Sequence, residues 1–277
     1  MVILMAGVAP AAVADDEPCG PPVSAPTRNP EGVPPGLGEA SGLVASLRYP
    51  GVSWAHQDSG HDASIFALRF DGDGRASWMR KIPVPGANNA DWEDISYAVG
   101  PDGIARLYLV ESGGFGSRMI YEIREPDPDS AQAAAVLGRY RYSFPDGGAT
   151  VEASFMFGGR LSLVTKTFPA RVYTFEALRG NGDNKPVFQG RLEDSRAVSM
   201  ARVSSDGRLL VTASHDWLLV YRNPNPGTLA GFFDREPVHG GEVSAGDNVE
   251  AGDFLPAGGC RLVLVAESRT TYVVGAR

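Results

Sequence analysis

Carboxylates recur at two kinds of position along this chain. Glu39, Glu93, Glu152 and Glu250 each open a short apolar run, and Asp58, Glu111 and Glu267 each close the run that follows it. In the third copy of the pattern Lys166 takes the closing place, and in the fourth Ser199 opens and His215-Asp216 closes. If the two runs are neighbouring antiparallel strands, the start of one lies beside the end of the other. Residues far apart in sequence then meet at one place. Glu152 is expected to pair with Lys166, and Arg202, just after Ser199, with Asp216. Glu39 with Asp58, Glu93 with Glu111 and Glu250 with Glu267 have no basic partner in their own repeats. Crowded carboxylates must keep a proton, borrow a cation or bind a metal. Oxygen donors gathered from several strands suit Ca²⁺, which takes a loose shell of six to eight, whereas the four histidines show no zinc-like spacing. The candidate metal ligands are therefore Glu39, Asp58, Glu93, Glu111, Glu250 and Glu267. Glu93 and Glu250 are the candidate general bases. Three accounts stay open: a ring that only satisfies backbone groups and holds water, a hard-cation site, and an acid–base site without metal.

The elements that must position these residues are strands. From Asp91 to Glu125, an acidic start leads into Ile95-Ser96-Tyr97-Ala98-Val99 and then the turn Pro101-Asp102-Gly103. Leu107-Tyr108-Leu109-Val110 and Arg118-Met119-Ile120-Tyr121-Glu122-Ile123 follow, which makes three antiparallel strands separated by turn residues. The phrase returns from Glu39, Val151, Val198 and Val249, a period of roughly 50 residues that signals a propeller or solenoid. Ala76–Ile82, Ala135–Phe144, Pro186–Leu192 and Thr228–Phe233 leave room for a fourth strand in each copy. Four antiparallel strands per repeat make a propeller blade. The reading is an all-β chain, a single β-propeller of about five four-stranded blades, with a sixth degenerate blade left open. Trp54 and Trp92 are expected to pack between blades.

The chain has 277 residues and 43% hydrophobic content, enough for a large core. Its net charge of −8 argues against nucleic acid as a partner, because phosphate binding needs a basic face. No stretch after the N-terminus approaches the roughly 20 apolar residues of a membrane span. Residues 1–14 are apolar and end in Ala12-Val13-Ala14, which reads as a signal peptide and predicts a secreted protein. Residues 15–38, rich in Pro and Gly, read as an extended arm, part of which is placed to supply the outermost strand of the last blade, and 39–277 as the propeller. Cys19 and Cys260, the only cysteines, stand near the two ends of the ring, where a disulfide would staple its closure. Gly113-Gly114-Phe115-Gly116 reads as a loop at the same mouth as the carboxylates.

Glu39-Ala40-Ser41-Gly42-Leu43, Trp54-Ala55-His56-Gln57-Asp58-Ser59-Gly60 and Asp91-Trp92-Glu93-Asp94-Ile95 resemble a group of secreted bacterial propellers related to the esterase-like phytase domain. More distantly the chain is similar to the gluconolactonase/regucalcin and strictosidine-synthase-like propellers. That resemblance implies a divalent cation in the central channel, bound by a Glu from the first blade, a role Glu39 fills, and by Asn or Asp from others. The expected protein is a secreted monomer whose acidic channel mouth binds a divalent cation, Ca²⁺ by its donors, and a small ligand. Its enzymatic form would be a metal-dependent hydrolase of esters, lactones or phosphates. The alternative is a non-enzymatic extracellular binding scaffold for protein or glycan.

Overall fold

A computed structural model describes residues 25–112, 118–147, 149–244, 246–255 and 260–275. The apolar leader, Cys19 and the Gly113-Gly114-Phe115-Gly116 loop lie outside the described residues.

The chain begins its ring at the end. Strand β1 (Thr27–Asn29) is followed by the first blade, β2 (Ala40–Ala45), β3 (Val52–Gln57), β4 (Ser64–Phe70) and β5 (Ala76–Pro83). The second blade is β6 (Trp92–Val99), β7 (Ala105–Glu111), β8 (Met119–Arg124) and β9 (Val136–Arg141). The third is β10 (Val151–Phe157), β11 (Arg160–Thr165), β12 (Ala170–Thr174) and β13 (Val187–Leu192). The fourth is β14 (Met200–Val203), β15 (Leu209–Ser214), β16 (Trp217–Arg222) and β17 (His239–Glu242). In the fifth, β18 (Val249–Phe254), β19 (Leu262–Ala266) and β20 (Thr271–Val274) take β1 as their outer strand, with Arg28 opposite Tyr272. The result is a five-bladed β-propeller, closed by its own N-terminal segment. Val33 and Leu37, which follow β1, are buried in the seam between the fifth and first blades.

Alternation of apolar and small residues along each strand gives a blade two apolar faces, and each face packs on the next blade. Five hydrophobic clusters fill the five seams. Trp54 and Trp92 are fully buried in the seam between blades one and two, as expected. The innermost strands β2, β6, β10, β14 and β18 stand side by side around the axis, with β18 closing on β2.

One strand is not where the sequence suggested. The segment Thr228–Phe233 is not the outer strand of blade four. Leu229–Phe232 forms a 3-10 turn capped by Thr228, whose hydroxyl accepts from Ala230 N at 3.3 Å. Phe232 and Phe233 are consecutive apolar residues that both go into the seam with blade three, which alternating strand geometry does not allow. The outer strand is instead β17, whose His239-Gly240-Gly241-Glu242 shows no apolar alternation. Gly240 lets this strand lie close over Leu219, because a Cβ there would stand 2.8 Å from Leu219 Cδ2 and push that side chain aside.

Candidate functional site

Four of the five innermost strands bulge at one level. In β2 the pairing passes from Ala40 opposite Gln57 to Gly42 opposite His56, and Ser41 is the extra residue. The same irregularity leaves Glu93 extra in β6, Glu152 in β10 and Glu250 in β18. β14 begins at Met200, after that level, which Ser199 holds. A bulge re-aims the residue it inserts. Ser41, Glu93, Glu152 and Glu250 all line one pocket of about 300 Å³ at the channel mouth. Asp58, Lys166 and Glu267, beyond the ends of the second strands, line it too, as do Glu39, His215 and Asn248. Every blade contributes.

Of the six expected ligands, Glu39, Asp58, Glu93, Glu250 and Glu267 come together here, and Glu111 does not. The cause is register. Backbone bonds from Asp58 N to Glu39 O, Ser112 N to Asp91 O, Lys166 N to Thr150 O and Glu267 N to Asn248 O, all 2.9–3.0 Å, mark equivalent places in four blades. By that count Ser112, not Glu111, matches Asp58, Lys166 and Glu267. One residue earlier means the opposite face of the strand. Glu111 accepts from Ala90 N at 3.1 Å, and its backbone carbonyl accepts from the Tyr142 hydroxyl. The same count sets Glu39 beside Asn248 rather than Glu250. Glu39 has φ 54°, a left-handed conformation, and its carboxylate lies 3.6 Å from His61 Nε2.

Burial and crowding set the charge states. The Glu93 carboxyl is pushed up to about 9, first by burial and then by Glu152, Asp91 and Asp58, against a hydrogen bond from Ser112. Glu250 is pushed up to about 7 by burial, with Glu152, Glu267 and Asp58 adding to the shift and Lys166 opposing it. Glu152 is raised by burial although it pairs with Lys166 at 3.0 Å, the ion pair expected from the sequence. Lys166, partly desolvated, is held charged by that partner.

The second expected pair, Arg202 with Asp216, is not formed. Arg202 is third in β14 and points into the channel, one layer below the pocket, where it is fully enclosed. Its guanidinium binds Asp94 at 2.7 and 2.8 Å and donates to the carbonyls of Leu43 and Ser154, and Asp253 stands at 3.9 Å. Asp94 also accepts from Ser154 N at 2.6 Å, and Asp253 from Ala45 N at 2.7 Å. One arginine thus ties all five blades together.

The donor set at the mouth fits a hard cation in type and charge: oxygen atoms, most of them carboxylate, with Lys166 the one lysine in the lining. It is not a preset cage, since among the described residues no three Asp, Glu, His or Cys side chains stand together as an ion would need. Sequence reading missed Asn248, one residue before β18, and Ser41, because it followed acidic residues only. Asn248 Nδ2 donates to Glu267 Oε2 at 3.3 Å, and its Oδ1 lies 3.2 Å from His215 Nδ1.

No protein-family model and no curated protein matches the chain. Among solved structures it resembles an X-ray structure of a candidate gluconolactonase, at 12% identity and a TM-score of 0.50, over 91% of this chain and 93% of that one. A crystal structure of Raptor from Chaetomium thermophilum aligns over 83% of this chain and 19% of that chain, at 12% identity and a TM-score of 0.45, too loose to bear on function. At such identities the likeness is one of fold.

Proposed function

We propose that this chain is an exported propeller whose channel mouth binds a hard divalent cation and a small ligand, and that it hydrolyses ester or lactone bonds. The observation that supports this most is the set of three bulged glutamates in one pocket, two of them with proton affinities moved far from that of an ordinary carboxyl. Glu250, near neutrality, is suited to take a proton from water. The water oxygen then bonds to the carbonyl carbon, the carbon–oxygen bond to the leaving group breaks, and the proton on Glu250 passes to the leaving oxygen. Glu39, Asp58 and Glu93 would hold the cation, with Glu93 giving up its proton as the ion enters. Such an ion supplies charge stabilisation to the carbonyl oxygen and lowers the pKa of bound water. Phosphate substrates fit less well, because Lys166 is the one lysine among six carboxylates in the lining. The fold likeness to a candidate gluconolactonase agrees with this chemistry class but does not carry it.

The test is a panel of simple esters and lactones with Ca²⁺, Mg²⁺ or chelator, on the wild type and on a folded Glu250→Gln variant. Cation-dependent turnover that the variant loses is the expected result. Silence with every cation would remove the enzymatic reading. The alternative of a binding scaffold then rests on the exposed Phe168, with Arg196 4.8 Å above its ring, and on exposed Trp217; each lies within two residues of a pocket residue, Lys166 or His215.

A further inference from the structure

His215, Asn248 and Glu267 form a hydrogen-bonded chain along one wall of the pocket. Its direction follows from donor chemistry. A carboxylate only accepts, so the Asn248 amide must turn its NH₂ toward Glu267, 3.3 Å away. The Asn248 carbonyl oxygen then faces His215 Nδ1 at 3.2 Å, and an oxygen that can only accept requires a proton on Nδ1. In a neutral imidazole the other nitrogen, Nε2, is left as a bare acceptor.

The His215 side chain is exposed at the pocket, but its backbone is fixed. It takes φ 50°, a left-handed conformation that non-glycine residues rarely adopt. It is held there because Val249 N donates to His215 O at 2.9 Å, a bridge between blades four and five. Val249 stands between Asn248 and Glu250, so the strand that clamps the histidine also carries its orienting amide and the proposed base.

The geometry points to His215 as a specificity residue of this pocket, one that accepts a hydrogen bond at Nε2 from a hydroxyl on the bound ligand. This rests on the ligand-binding reading above and adds a class to it. Ligands bearing a hydroxyl near the reacting carbonyl are selected over those that offer acceptors alone. Asn248 and Glu267 act through His215 and are positioning residues.

Two probes separate this inference from the hydrolase reading. α-Hydroxy-γ-butyrolactone and γ-butyrolactone differ by the single hydroxyl. Imidazole ¹H–¹⁵N correlation spectra, assigned with a His215→Gln variant, report which ring nitrogen carries the proton and whether Nε2 accepts a bond. The expected spectrum has Nδ1 protonated, Nε2 bare, and Nε2 moving on titration with the hydroxylated lactone only. Asn248→Ala should release the tautomer and abolish that response. In turnover, the preference for the hydroxylated lactone should be about tenfold in kcat/KM, as one hydrogen bond allows, and should fall toward one in both His215→Ala and Asn248→Ala. A proton on Nε2 in the wild type, or an Nε2 signal that neither lactone moves, overturns the inference even if both lactones are hydrolysed. A selective Nε2 response without any turnover supports it and removes the hydrolase instead.

Discussion

Replacing Glu93 with Gln should stabilise the protein, and the amount should depend on pH in a defined way. Glu93 is buried, and its carboxyl holds its proton up to about pH 9, against 4.5 for an ordinary glutamate. Below the ordinary value both folded and unfolded chains carry the proton, and the site costs nothing. Above it the unfolded chain releases the proton while the folded chain keeps it. Stability then falls by about 1.4 kcal/mol per pH unit until the folded carboxyl also ionises. Over the roughly 2.5 units to neutrality the penalty reaches about 3 kcal/mol. Gln keeps the shape and an acceptor oxygen but does not titrate. The variant should therefore match the wild type near pH 4.5 and melt roughly 6–12 °C higher at pH 7, since a chain of this size gains about 2–4 °C per kcal/mol. Glu250→Gln should behave alike, except that its gain levels off near pH 7, where its folded carboxyl titrates. Millimolar Ca²⁺ should raise the wild-type midpoint at pH 8 by mass action, and do so much less in Glu93→Gln. Calorimetric melts from pH 4.5 to 9, with chelator and with Ca²⁺, supply every curve. Parallel wild-type and variant curves across that range would refute the burial argument. A wild type indifferent to Ca²⁺ would refute the cation site.

Two further outcomes concern the scaffold. Arg202→Met leaves Asp94 and Asp253 buried without their counter-ion and should cost about 3–5 kcal/mol in urea unfolding, whereas a surface arginine such as Arg160 should cost under about 0.5 kcal/mol. In exported protein Cys19 and Cys260 should be oxidised, and reduction should lower the melting midpoint by an effect on the order of 4 kcal/mol at most; two thiols open to alkylation in the native protein would refute that pairing.

The architecture was legible because its signals are local. Turn residues at Pro101-Asp102-Gly103 and the β-branched runs around them repeat closely enough to count blades. The fourth strand of blade four was not legible, since its two glycines make no apolar pattern. The carboxylates of the mouth were legible as a set but not in their register. Every bulge adds one residue to an inner strand, so counting from the strand start assigns the wrong partner on the next strand. Glu111 was drawn in for that reason, and Ser112 and Asn248 were passed over. Arg202 was misjudged for a different cause. Its partners Asp94 and Asp253 lie in other blades, more than fifty residues away on either side of it, and only closure of the ring brings them together.

The blade that breaks the pattern explains how the others can hold it. β14 starts at Met200, and Ser199 just before it stands where the neighbouring strands carry Glu152 and Glu250. Its third residue, Arg202, reaches the axis and contacts groups from all four other blades. β14, like β2, gives the mouth no carboxylate, and it gives the axis its buried cation. That division has a physical consequence. Three glutamates turned toward one axis repel each other, and the ring could relieve the strain by opening a seam. Arg202 opposes this with hydrogen bonds to the first three blades and an ion pair to Asp253 of the fifth, so the carboxylates must answer their crowding by keeping protons or taking a cation rather than by moving apart.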